Sequence, residues 1–364
     1  MTADAVNGTA PAQKPPATPG VAAAALHWAL VTLVPILAAL LLSGGVLLAL
    51  GTDPLAYYGL VLQRGLLSWL GLQASLSRMA PLLFLAAGLI VAFRAGIWNL
   101  GTDGQFLLAA VIVAAAGPPL AAALPGWIAL PLCLVLAAAV GAAWSLLPAL
   151  LRAYQGVNEI ITTLMMTFLG TSFANVLVKL AFRDPATTVP QTRTLAVDDR
   201  LPRLFGTTIT GGLVLGLVAV VLVHLMMTRT AFGLKLRVVG ANARAAVHAG
   251  LPVPRLTVAV FAISAGLAAM AGAVDIIGVQ GNVRADWNPA YGLAVIPLVF
   301  LARFNGFASI AFVFLFSVLS IGGESAARRL GVPHYFTLVV MAILLIVLAL
   351  VEFVDQRRRE RMRS

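Results

Sequence analysis

Ala92-Phe93-Arg94-Ala95-Gly96-Ile97-Trp98-Asn99-Leu100-Gly101-Thr102-Asp103-Gly104-Gln105 is the stretch on which the reading of this chain turns. It sets Arg94, Asn99, Asp103 and Gln105, spaced by Gly96, Gly101 and Gly104, between two strongly apolar segments. Polar groups without partners are expensive in hydrocarbon, so such an insert has to be buried in protein or line an aqueous path. The pattern points to a transport route.

The surroundings agree. Of 364 residues, 61% are hydrophobic and only 10% charged, with a mean hydropathy of +0.99. A soluble domain cannot hide that much apolar surface, so the fold class expected is all-α: a polytopic helical membrane protein. The net charge of +11 sits in short loops and a tail between apolar runs. That is the distribution of a membrane protein's inner side facing lipid, and it argues against a nucleic-acid partner. Cys133 is the single cysteine and lies in an apolar run, which excludes an internal disulfide or a thiolate metal cluster.

About ten apolar runs follow one another, near 26–50, 80–93, 106–124, 127–151, 160–182, 210–228, 256–280, 292–302, 307–322 and 335–354. A helix needs ~20 residues to cross. The runs at 80–93 and 292–302 fall short, and each ends at an arginine, Arg94 or Arg303, followed by Asn and Gly. Short interrupted segments of this kind mark transport sites, so one or two are expected to be broken or re-entrant. Residues 1–25, rich in Ala, Pro and Thr, read as a disordered cytoplasmic lead; 26–354 is the membrane domain and 355–364 a basic cytoplasmic tail. The run at 26–50 is too long for a cleaved signal and reads as a first span.

Charge sets the orientation. The segment 229–255 carries Arg229, Lys235, Arg237, Arg244 and Arg255 with no acid, and the tail carries Arg357, Arg358, Arg359, Arg361 and Arg363. Both are expected inside. If every run crosses, Arg94, Arg152 and both termini fall inside as well. The Pro-rich segment 183–203 then lies outside, as do 54–78 with Arg64 and Arg78, and the pair Arg328–Arg329.

Within the inner loop, Gly240 to Gly250 reads as a short helix bounded by glycines, with Ala245, Ala246 and Ala249 as a small-residue face. Such a face suits close docking of a cytoplasmic partner; a basic linker resting on anionic lipid is the plainer reading. Asn99, Asp103 and Gln105 are candidates to line a path, their amides and carboxylate suiting the hydroxyls of a solute; Trp98 is a candidate to stack a base or ring, with an interfacial Trp as its alternative. Asn99 and Asp103 as caps of a broken helix is the alternative. Asp275, inside the apolar run 256–280, is a candidate because an ionisable group there is functional by default; pairing with a neighbouring arginine is its alternative. Asn158 and Glu159 read as a helix N-cap.

Four segments together resemble a known family. "AFRAGIWNLGTDGQ" (92–105), "AYQGVNEIITTLMMTFLG" (153–170), "TRTAFGLKLRVVGANARAAVHAGLPVPR" (228–255) and "ISAGLAAMAGAVDIIG" (263–278) are similar, in order, to signature segments of ABC importer permeases of the nucleoside and simple-sugar branch. The resemblance implies partner ATPase subunits that bind ATP and Mg, a second permease that is often a paralogue, an extracytoplasmic binding lipoprotein, and a bacterial inner membrane with both termini cytoplasmic. This chain itself has no phosphate-binding G-x-x-x-x-G-K-[ST] loop, so no cofactor is expected in it. By resemblance Gly240, Asn242, Arg244, Ala245, Ala246, Ala249 and Gly250 form the coupling helix, the two glycines setting its turns. Ala246→Glu is then expected to uncouple the ATPase.

Departures fall near the presumed path: Asp103 stands where the family has Glu, and Thr102 where it has Ala. They bear on the solute more than on the class. An ion-coupled secondary transporter using Asp103, Glu159 and Asp275 is the rival reading. An enzyme is not expected, since neither H-E-x-x-H nor G-x-S-x-G occurs and the four histidines are scattered.

Overall fold

A chain crossing lipid must close its backbone hydrogen bonds within each segment, and the apolar runs do so as helices. The computed structural model describes residues 21–333 and separate positions from 335 to 357, without the side chains of 21–32 and 35. Most of the expected lead and nearly all of the basic tail lie outside the described residues.

The elements in order are α1 (Val21–Ala49), α2 (Pro54–Leu62), α3 (Trp69–Arg94), α4 (Thr102–Ala123), α5 (Gly126–Trp144), α6 (Leu146–Gln155), α7 (Glu159–Val176), α8 (Gly212–Arg229), α9 (Ala231–Ala241), α10 (Ala243–His248), α11 (Val253–Asp275), α12 (Tyr291–Leu301) and α13 (Gly306–Leu330). Single π-turns extend α7 and α11, to Ala181 and Gln280. Among the described residues, pairing between extended segments is limited to two isolated bridges.

Seven helices among the described residues are long and apolar enough to cross a membrane: those at 69–94, 102–123, 126–155, 159–181, 212–229, 253–280 and 306–330. That is fewer than the ten runs read from hydropathy. The expected short segment at 292–302 is real, since α12 has only 11 residues. The one at 80–93 is not short. It is the second half of α3, a helix of 26 residues starting at Trp69, so Arg78 lies inside a membrane-length helix and not in an outer connection. Hydropathy missed this because the first turns carry Gln73, Ser75 and Ser77. All three are buried and satisfied internally: Ser75 donates to the Gly65 carbonyl (2.7 Å), Ser77 to that of Thr208, and Gln73 accepts from the Thr208 amide and hydroxyl. Ser68 caps the helix by accepting from the Gly71 amide.

Helices α3 and α11 form the centre. α3 is buried over most of its length, while α11 presents Ala265, Ala268, Ala269, Ala271 and Ala273, all fully enclosed. Small residues let neighbouring backbones approach closely where the hydrophobic effect supplies no drive. Outward-facing Leu41, Trp127, Val135, Phe168 and Leu222 give the bundle an apolar exterior.

Up-and-down order gives the bundle two distinct ends. At one, α9 and α10 form a hairpin between α8 and α11. At the other, the segment 182–211 is tied to 281–290 by backbone bonds from Thr192 to Val283, Leu195 to Gly281 and Ala285 to Pro190, each 2.9 Å.

Candidate translocation path and coupling surface

Helix α3 stops at an elbow that runs from Ala95 to Gly101, before α4 begins. Gly96 takes φ +71°, a left-handed conformation that costs glycine little, and Ile97 donates back to the Ala92 carbonyl. The chain then folds into the protein. Asn99 and Gln105 are 0% and 1% exposed and face each other as a reciprocal amide pair, 3.1 Å in both directions. Asn99 also donates to the Ser264 hydroxyl on α11 and accepts from the Gly101 amide. Thr163 and Thr167 of α7 bind the Leu100 amide and carbonyl. The polar insert is therefore satisfied by protein groups in this conformation.

Asp103 has a different duty. Its Oδ1 accepts from the Gly292 amide at 2.6 Å. This is one of the free N–H groups of α12, whose own N-cap residue, Ala290, has no polar side chain to offer and sits at φ +52°. A Cβ on Gly292 would run into Thr102 and Asp103, so only glycine lets the carboxylate come this close.

Trp98 is the one exposed member of the set, at 38%. Its ring packs on Phe93 (5.1 Å) and Phe300 (5.5 Å), with Phe304 completing the cluster. Asp275 ends α11, buried, and its Oδ2 has no hydrogen-bond partner among the described residues. Asn158 caps α7 by accepting from the Ile160 amide, and Glu159 pairs with Arg152 at 3.2 Å.

The hairpin meets the elbow directly. Gly240 lies in α9 with its backbone against Arg94, Ala95 and Gly96; a Cβ on Gly96 would sit 3.1 Å from the Gly240 Cα, and one on Gly240 would strike the Arg94 carbonyl. Gly240 therefore sets a close approach and not a turn, which corrects the expectation. The turn is made by Asn242, extended at φ −160°, whose side chain caps α10 through the Ala245 amide. Gly250, at φ +75°, does end the segment as expected. Ala246 is also corrected. It is fully buried in this chain's own core, so its methyl faces inward, while Arg244, Ala245, Val247 and Ala249 are exposed.

Arg94 extends the contact: its Nε donates to the Phe304 carbonyl at 3.1 Å. Arg303 and Phe304 both hold positive φ, at 49° and 58°, an uncommon state for residues with side chains. The α12–α13 corner is thus fastened to the end of α3.

Sequence reasoning set Arg78 in an outer connection and gave it no partner. Arg78 on α3 reaches Glu324 on α13 at 3.0 Å and Ser320 at 3.2 Å, and its guanidinium lies 5.6 Å from the centre of the Tyr291 ring. The signal available was the helix-compatible run Trp69–Met79 behind a Ser cap, which would have moved Arg78 into a span. Glu324 was passed over because it lies just past an apolar run. Among the described residues no group of three or more His, Cys, Asp or Glu is placed to hold a metal.

Seven membrane-length helices, a short helix of 11 residues and a basic hairpin packed on a polar elbow make this a multi-pass membrane protein. The chain belongs to the family described as the branched-chain amino acid transport system permease component, whose model matches residues 71–349. It is 33% identical to the glucose ABC transporter permease protein of Haloferax volcanii, over 89% of this chain and 87% of that one. It is 26% identical to the nucleoside ABC transporter permease protein of Lactococcus lactis (88% and 90% covered) and 27% identical to the guanosine ABC transporter permease protein of Bacillus subtilis (76% and 80%). These relatives bear out the resemblance drawn from the four segments. No solved structure matches.

Proposed function

We propose that this chain is a transmembrane permease subunit of an ABC importer for nucleosides, related ribosides or simple sugars. The observation that carries this reading is the Gly96–Gly240 contact, which joins the exposed α9–α10 hairpin to the elbow and, through Arg94, to the corner after α12. A hairpin whose purpose was to hold lipid would not need backbone-to-backbone contact with the polar centre. Motion imposed on α10 by a partner reaches α12 through two contacts.

On this reading separate ATPase subunits bind the hairpin and supply the energy, a second permease packs on the apolar exterior, and a binding lipoprotein delivers the solute to the end formed by 182–211 and 281–290. The membrane is the bacterial inner membrane with both termini cytoplasmic. The names of the relatives support nucleosides and sugars as the solute class. Trp98 faces the path, Asn99 and Gln105 hold the elbow that presents it, Asp103 anchors α12, and Asp275 stands buried at the end of α11.

The test is ATP hydrolysis by the assembled complex in vesicles. Binding protein loaded with solute should stimulate it, and Val247→Asp on the outer face of α10 should remove the stimulation while the complex still purifies intact. Full stimulation in that variant would refute the coupling assignment.

A further inference from the structure

An open cavity of about 380 Å³ lies at the end opposite the hairpin, where α3, α12 and α13 meet the loop 281–290. It falls in the lower range of ligand sites, ~300–1,000 Å³. Its walls include Arg78, Gln280, Trp287, Asn288, Tyr291 and Glu324. Arg78 comes nine residues after Trp69 in α3, which places it about 13 Å along the helix, inside the span rather than at its mouth. Its side chain and that of Glu324 are 22% and 36% exposed, so the pair faces the cavity and is not sealed in the core. An ion pair within a membrane helix bundle is weak evidence for stability and strong evidence for a site.

The chemistry narrows the occupant. Arg78 and Glu324 are joined at 3.0 Å, so this ion pair adds no net charge to the wall and gives a free anion or cation no unmatched partner there. What remains is a planar donor fork, a carboxylate acceptor, two amides that both donate and accept, and two aromatic rings. Adjacent hydroxyls match the fork and the carboxylate, and the C–H face of a saturated ring matches the aromatics. We propose that this cavity is a binding site for the neutral polyhydroxylated ring of the transported solute, held by Arg78 and Glu324 and flanked by Trp287 and Tyr291. The assignment rests on the permease reading and adds to it the site and the part of the solute recognised. A hexose and the ribose of a nucleoside share this chemistry.

The test uses the assembled complex in vesicles. Asn288→Cys places a thiol on the exposed rim, and the single native cysteine, Cys133, is buried. Modification by a membrane-impermeant maleimide should slow about threefold when glucose or uridine is present at twice its dissociation constant. Protection by glucose alone assigns a hexose, and protection by uridine alone a riboside. Protection by leucine in their place overturns the proposal, as does protection by none of the three. Glu324→Gln in the same background should abolish protection and lower uptake about tenfold; Gln280→Leu, an exposed change, should lower it with no effect on assembly. Unchanged protection and uptake in both would refute the site. Stimulation of ATP hydrolysis by the binding protein is read alongside: its absence in the unsubstituted complex would count against the permease reading itself.

Discussion

Asp103 on α4 accepts the amide proton of Gly292 on α12 at 2.6 Å, a bond between residues 189 apart in sequence. It makes α12 a lever with two fixed ends. The N-terminal end is pinned by Asp103 and borders the open cavity through Tyr291. The C-terminal end packs Phe300 and Phe304 on Phe93 and Trp98, and is fastened to Arg94. One short helix therefore connects the cavity to the elbow on which the α9–α10 hairpin packs.

Removing the cap should weaken that end first. Asp103→Ala leaves the Gly292 amide without its acceptor, a loss of about 1–2 kcal/mol. Asp103→Asn keeps an oxygen acceptor and should lose less. Thermal unfolding in detergent ranks the three proteins. Equal melting temperatures for Ala and Asp would contradict the capping role.

The Gly96–Gly240 contact should tolerate no added carbon. Gly240→Ala drives a methyl into the Arg94 carbonyl, an overpacking of about 1–3 kcal/mol, and should separate hydrolysis from uptake. Solute moved per ATP is the quantity to measure, and a ratio unchanged from the parent protein would sink the proposed linkage.

How much of this was legible beforehand depends on whether the signal was local. The elbow was visible because Gly96, Gly101 and the polar residues lie in one short run, and hydropathy alone gives the helical membrane class. The four family-like segments were likewise contiguous. Asp103's partner was invisible, because a carboxylate's acceptor role across 189 residues leaves no trace in spacing. Arg78 was misplaced because hydropathy averages away buried serines that are satisfied by distant carbonyls. Ala246 was assigned to the wrong face because three alanines in a six-residue helix do not reveal which side packs inward.

Ala246→Glu would bury a carboxylate without a partner in the core, and the complex should fail to assemble. Recovery of folded complex with normal yield, judged by size-exclusion chromatography, would contradict the inward orientation. Val247→Asp, on the exposed side, should assemble normally.

The amide pair makes a double-mutant prediction. Gln105→Leu strands the Asn99 amide in a dry site, a loss of about 1–3 kcal/mol. Adding Asn99→Leu removes the stranded group and should recover part of that loss, although the bonds from Asn99 to Ser264 and Gly101 go with it. Additive destabilisation in a melting assay would show that the two side chains act independently.

The most direct test of the central claim is uptake of labelled uridine and glucose into proteoliposomes holding the complex of this chain with the proposed ATPase and second permease. Binding protein is outside, ATP inside, and no ion gradient is applied. ATP-dependent accumulation is the expected result. Accumulation that needs a proton or sodium gradient, and proceeds without the ATPase, would contradict it.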